Sequence, residues 1–165
     1  MTTPSTANRT LTLGRALLFG ALTVGTLDIL DAFIFFGVRS GAKPVRILQG
    51  IAGGVLGPSA PTMGIPAAAL GLFLHFFIAF CVAGVYLAVS RRLPTLRRLP
   101  FLWGPSYGIC VYLVMNWIVI PLSAVGSSRR PSGIGLLNGV LIHILGVGLP
   151  SALFARAATS EADRP

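Results

Sequence analysis

Asp28 and Asp31 stand in the stretch GTLDILDAFIFFG, residues 25 to 37, within an otherwise apolar run. An isolated carboxylate in hydrocarbon costs on the order of several kcal/mol, so two of them call for partners inside the protein. Three residues apart, they share one helix face. The other apolar runs offer His75, Asn116, Asn138 and His143 as partners.

These residue types allow three kinds of chemistry. In the first, which leads, the cluster is structural or accessory: Asp28 accepts hydrogen bonds from His75, Asn116 or a backbone group and fixes helix register. In the second, a small proton- or cation-coupled carrier, Asp28 and a histidine exchange protons as access alternates. The third and weakest is a metal site built from Asp28, Asp31, His75 and His143. Its ligand types suit zinc or manganese, but no HxxxH or HxxE spacing sharpens it. Each residue also has a plainer reading. A lone histidine in an apolar helix is more often a packed, hydrogen-bonded residue than a ligand, and Asn116 beside Trp117 can bind a neighbouring carbonyl.

The elements that position these residues follow from composition. Of 165 residues, 54% are apolar and 10% charged, too few charges to cover a water-facing surface, and the chain reads as an integral membrane protein. Apolar runs at about 14–37, 66–90, 101–125 and 133–156 each reach the roughly 20 helical residues needed to cross a bilayer core. They are continuous rather than alternating, which excludes barrel strands. The expected fold is all-α: one polytopic domain over 1–165, a bundle of four transmembrane helices, with tails 1–10 and 157–165 disordered.

Between the first two spans, residues 45 to 57 (VRILQGIAGGVLG) are too short to cross; Leu48, Ile51, Ala52 and Val55 recur at helical spacing, as in an interfacial or re-entrant helix. The following PSAPTMGIP predicts an irregular link, because its prolines cannot continue a helix. Pro121 and Pro150 predict kinks within spans three and four. Trp103, and less clearly Tyr86, Tyr107 and Trp117, suit the membrane interface.

The net charge of +9 is spread in pairs at span ends rather than gathered on one face, which argues against nucleic acid and for topology signals. Arg9, Arg15, Arg91, Arg92, Arg97, Arg98, Arg156 and Arg164 make eight on one side, against five (Arg39, Lys43, Arg46, Arg129, Arg130) on the other. Both termini are therefore expected in the cytoplasm, in a multi-pass protein of a bacterial inner membrane. The basic start followed by ALLFGALTVGTL imitates a signal peptide, but no small-x-small cleavage site follows and the apolar run resumes after the aspartates. Cys81 and Cys110 read as buried, reduced residues.

With this topology, counting at about 1.5 Å per residue puts Asp28, His75 and Asn116 roughly 4 to 5 Å outward of the midplane and His143 near it. Asp31 and Asn138 form a second layer roughly 9 Å outward. Small residues four apart, Ala21 and Gly25, Gly104 and Gly108, Gly135 and Gly139, permit close helix contact.

No enzyme is expected. Ser59, Ser106 and Ser123 lack a nucleophile-elbow context, and IAGGVLG lacks the lysine of a phosphate loop. No cofactor is implied. The expected partners are the lipid bilayer and, for transport, a second copy or a membrane partner subunit.

GTLDILDAF, VRILQGIAGGVLG, ALGLFLHFFIAFCVAGVYL, LWGPSYGICVYLVMNWIVIPLS and a histidine-bearing last span ending GLPSALFAR together carry a resemblance. From about Arg15 to Arg156 the chain resembles a group of small, functionally uncharacterised bacterial inner-membrane proteins with four spans. The resemblance implies fold and location, and no activity.

Overall fold

Apolar side chains with nowhere to go but lipid dictate long helices that satisfy every backbone group internally. In a computed structural model, which describes residues 11–126 and 131–159, four helices are long and apolar enough to cross a membrane. They are α1 (Leu13–Ser40), α3 (Gly64–Arg92), α5 (Pro100–Leu122) and α6 (Ile134–Ala157). A shorter α2 (Pro44–Leu56) lies between the first two, and one turn, α4 (Thr95–Arg98), links the next pair.

The burial pattern is inverted relative to a water-soluble fold. Buried positions are mostly Ala and Gly, whereas Val38, Leu122 and Phe101 are 86%, 82% and 71% exposed. With lipid as apolar as leucine, helices gain little by burying large side chains against each other and gain more by close approach. A Cβ on Gly108 would run into the His143 carbonyl, and one on Gly148 into the Gly104 carbonyl and the Gly108 nitrogen. Helices α5 and α6 therefore touch backbone to backbone, while α1 packs against both α3 and α6.

Local signals set the boundaries. Helix α1 starts at Thr12, whose hydroxyl accepts from the Arg15 N–H at 3.4 Å. It ends at Gly41, whose left-handed φ of 66° lets the Gly41 and Ala42 N–H groups cap the Gly37 and Phe36 carbonyls. Leu11–Thr12 then pairs in parallel with Ala158–Thr159, tying the two ends of the described chain together. Residues 157–159, expected in a disordered tail, are thus ordered: Ala157 closes α6 and Ala158 is buried. The tail 1–10, the rest of the C-terminal tail, and Arg129 and Arg130 lie outside the described residues.

Span three stops at Leu122 rather than 125, because Ser123 turns extended and its hydroxyl bonds the Ile120 carbonyl at 2.7 Å. The proline-rich link is not irregular. Gly57–Thr62 is a 3-10 helix with Pro58 in its first turn. Helix α2 buries a face rotated from the expected apolar stripe: Gln49 and Gly53 are buried beside Ala52, the one fully buried member of the stripe, while Val55 is 62% exposed. Gln49 donates to the Gly64 carbonyl at 2.8 Å, and the Leu48 carbonyl lies where a Cβ on Gly71 of α3 would sit. Polar and small residues make the joint and valines meet the surroundings. Tyr86 and Tyr107 are not belt residues either. Tyr86 is 1% exposed, and their hydroxyls donate to Leu96 and Val82 carbonyls at 3.0 and 2.8 Å. Cys81 and Cys110 are free but exposed, facing away from the protein interior.

Candidate functional site

The prolines expected to kink spans three and four do so by widening the turn ahead of them. A proline lacks an N–H and its ring presses on the carbonyl one turn back. Met115–Val119 and His143–Gly148 are accordingly π-helical, with the Ile120 N–H bonding the Met115 carbonyl and the Leu149 N–H the Ile144 carbonyl, each immediately before a proline. Such turns are rare and favour functional sites. Asn116 sits in the first and His143 opens the second.

Both turns border a cavity of about 850 Å³, whose lining includes Asp28, Asp31, His75, Asn116, Asn138 and His143. Its floor is the packed group Val24, Ala79, Val111 and Val147, and its rim reaches the exposed Arg39, Arg46 and Ser132 at the end of the protein that carries α2. The link after α5 braces that end, where the Ala124 N–H donates to the Gly54 carbonyl at 2.9 Å.

The six polar residues are not equivalent. Asn138 Nδ2 donates to Asp31 Oδ2 at 2.7 Å, joining α6 to α1 in the layer that counting along the helices had paired. Asp28 behaves differently. The expected donors are engaged elsewhere: His75 Nε2 bonds the Gly25 carbonyl at 2.7 Å, and Asn116 Nδ2 the Tyr112 carbonyl at 2.9 Å. No hydrogen bond to Asp28 occurs among the described residues, although His143, His75 and Asp31 lie within electrostatic reach of it. The expectation that Asp28 accepts from His75 or Asn116 is corrected: His75 bonds a carbonyl of α1 across the helix pair, and Asn116 one a turn back on its own helix. The metal reading also loses its basis: among the described residues, no three His, Cys, Asp or Glu side chains converge to hold an ion.

Both histidines are tied to the carbonyl of a glycine, His75 across to α1 and His143 within α6. A carbonyl only accepts, so the Gly25 contact fixes an Nε2–H on His75, and the 2.9 Å contact with Gly139 fixes an Nδ1–H on His143. In each case the glycine's bare Cα is covered by an aromatic ring, Phe76 over Gly25 and Tyr112 over Gly139; an added Cβ would come within 2.7 Å of either ring. That ring meets the histidine edge-on, at 5.4 Å for His75–Phe76 and 5.3 Å for Tyr112–His143. In the neutral rings one nitrogen is tied to backbone and the other keeps its lone pair.

Reading the sequence alone misses Tyr112. Its side chain is 3% exposed and its hydroxyl is buried with no hydrogen-bond partner among the described residues. The available signal was spacing, since Tyr112 lies one turn before Asn116 on the same face of α5. Arg39 and Arg46 were read as topology signals, and their place at the rim depends on how α2 folds back. No family model matches the chain, and no curated protein or solved structure does either.

Proposed function

We propose that this chain is a small proton- or cation-coupled carrier of the bacterial cytoplasmic membrane, with Asp28 as the coupling carboxylate and His143 or His75 as its proton partner. The observation that carries the proposal is the cavity reaching Asp28 from the α2 end. A fastener between helices would sit in a closed, dry joint, whereas a carboxylate without a hydrogen-bond partner at the wall of a cavity is positioned to exchange what it holds. The basic-residue bias puts both termini in the cytoplasm, so the cavity faces outward, α2 lies along the outer interface, and the four spans form a bundle. A second copy or a membrane partner subunit would complete the path to the other side.

One observation favours a structural role, and it concerns Asp31. Its hydrogen bond to Asn138 is the kind of interhelical joint that polar residues make in membranes. The two aspartates thus divide the roles, Asp31 fastening and Asp28 exchanging.

The test is proton flux in proteoliposomes carrying a lumenal pH dye under an imposed pH gradient. Flux above that of empty liposomes, lost in Asp28→Asn and retained in Asn138→Ala, is the expected outcome. Equal flux in Asp28→Asn and the unmutated protein would sink the reading.

A further inference from the structure

The polar atoms left unused in the cavity indicate what it takes. They are the Asp28 carboxylate and the second nitrogen of each histidine. A carboxylate accepts, and so does the bare nitrogen of a neutral imidazole. With both imidazoles neutral the site is short of donors and of positive charge.

Size and lining define the rest of the ligand. About 850 Å³ lies at the upper end of cavities that hold drug-sized organic molecules. Between the polar atoms the walls are apolar, with Ile29, Phe35, Ile78, Met115 and Ile142 among them. A small inorganic cation would need several convergent oxygens. Among the described residues no three His, Cys, Asp or Glu side chains gather to hold an ion, and Asp31 is turned to Asn138. The arginines do not reverse the sign. Arg39 is exposed and lies eleven residues, roughly 16 Å, along α1 from Asp28, beyond a screening length of about 8 Å. Arg46 is exposed and engaged with the Pro61 carbonyl at 3.0 Å.

We propose that the cavity binds an amphiphilic organic amine in its protonated form, with the ammonium group on the Asp28 carboxylate and an apolar body against the surrounding walls. The proposal rests on the carrier reading and gives its substrate class. Because one carboxylate holds either a proton or an ammonium, exchange is balanced. As R–NH3+ arrives, protonated Asp28 releases its H+ to water at the rim; when the amine leaves, a proton returns.

The experiment uses the purified protein in phosphatidylcholine nanodiscs, titrated with aminoacridine, a cation at neutral pH, and with acridine, its uncharged counterpart of the same shape. Binding is read by fluorescence against empty nanodiscs. Aminoacridine is expected to bind saturably and at least about tenfold tighter than acridine, the scale of a charge-assisted hydrogen bond, and Asp28→Asn to erase that difference. Should Asp28→Asn fail to fold, the acridine pair decides. Equal binding of the two acridines, or a difference that survives in Asp28→Asn, overturns the proposal. Asp28-dependent proton flux without aminoacridine binding overturns the substrate class and leaves the carrier; Asp28-dependent binding without flux upholds the class and overturns the carrier.

Discussion

Helices α5 and α6 run side by side through two different environments. Toward the termini they are closed on each other, with Gly104, Gly108 and Gly148 in backbone contact, and the polar groups nearby are satisfied: Tyr107 bonds Val82, Tyr86 bonds Leu96, and Ser151 bonds the Val147 carbonyl at 2.8 Å. Toward α2 they part around the cavity, and Tyr112 keeps a hydroxyl without a partner among the described residues. The change falls where Gly108 meets His143, at the start of a π turn. Glycines thus close one half for stability, while the other retains polar groups that packing does not require, the usual mark of function at the expense of stability.

The strongest way to break this contrast is to enlarge a glycine on the closed side. In Gly148→Val the new side chain meets the backbone of Gly104 and Gly108, which cannot rotate away, so the expected loss exceeds about 3 kcal/mol and appears as failure to purify in a folded state. Gly135→Ala, on the open side with nothing within 4 Å of its new methyl, should leave the unfolding temperature in detergent unchanged or slightly raised. Equal damage from both would mean the two halves are packed alike.

The two aspartates sharpen the comparison within the open half. Asn138→Ala removes the donor that Asp31 has among the described residues and should cost about 1 to 2 kcal/mol, seen as a lower unfolding temperature in detergent. Asp28→Asn replaces a carboxyl group that no hydrogen bond supports among the described residues, and the variant should melt at the same temperature as the unmutated protein or above it. A large drop in Asp28→Asn would return Asp28 to the structural role.

Much of this was legible in the sequence because the bilayer imposes it. Continuous apolar length located four spans to within a few residues, and depth counting paired Asp31 with Asn138, since rise per residue is fixed along a helix. What periodicity could not supply was which side of each helix meets protein. The apolar stripe of α2 located Ala52 but not its buried neighbours Gln49 and Gly53, because in lipid small and polar residues make the joint. The donors expected at Asp28 went to carbonyls within reach of their own side chains, and competition of that kind has no signature in residue type. The prolines signalled a disturbance but not its form, a π turn that widens the helix beside the cavity.

The finest contrast compares two tyrosines of one helix. Tyr107→Phe deletes a hydroxyl that donates to the Val82 carbonyl at 2.8 Å, a net loss of about 1 kcal/mol. Tyr112→Phe deletes a hydroxyl that is buried and unpartnered, so the lost interaction is nil and the relieved desolvation gives no loss, or a gain of up to about 1 kcal/mol. Removal of the same atom should thus lower the unfolding temperature at one position and hold or raise it five residues later, measured in the same detergent. If both variants lose stability equally, Tyr112 has a partner inside the protein. If only Tyr107→Phe loses, the Tyr112 hydroxyl is buried at a cost that no hydrogen bond offsets.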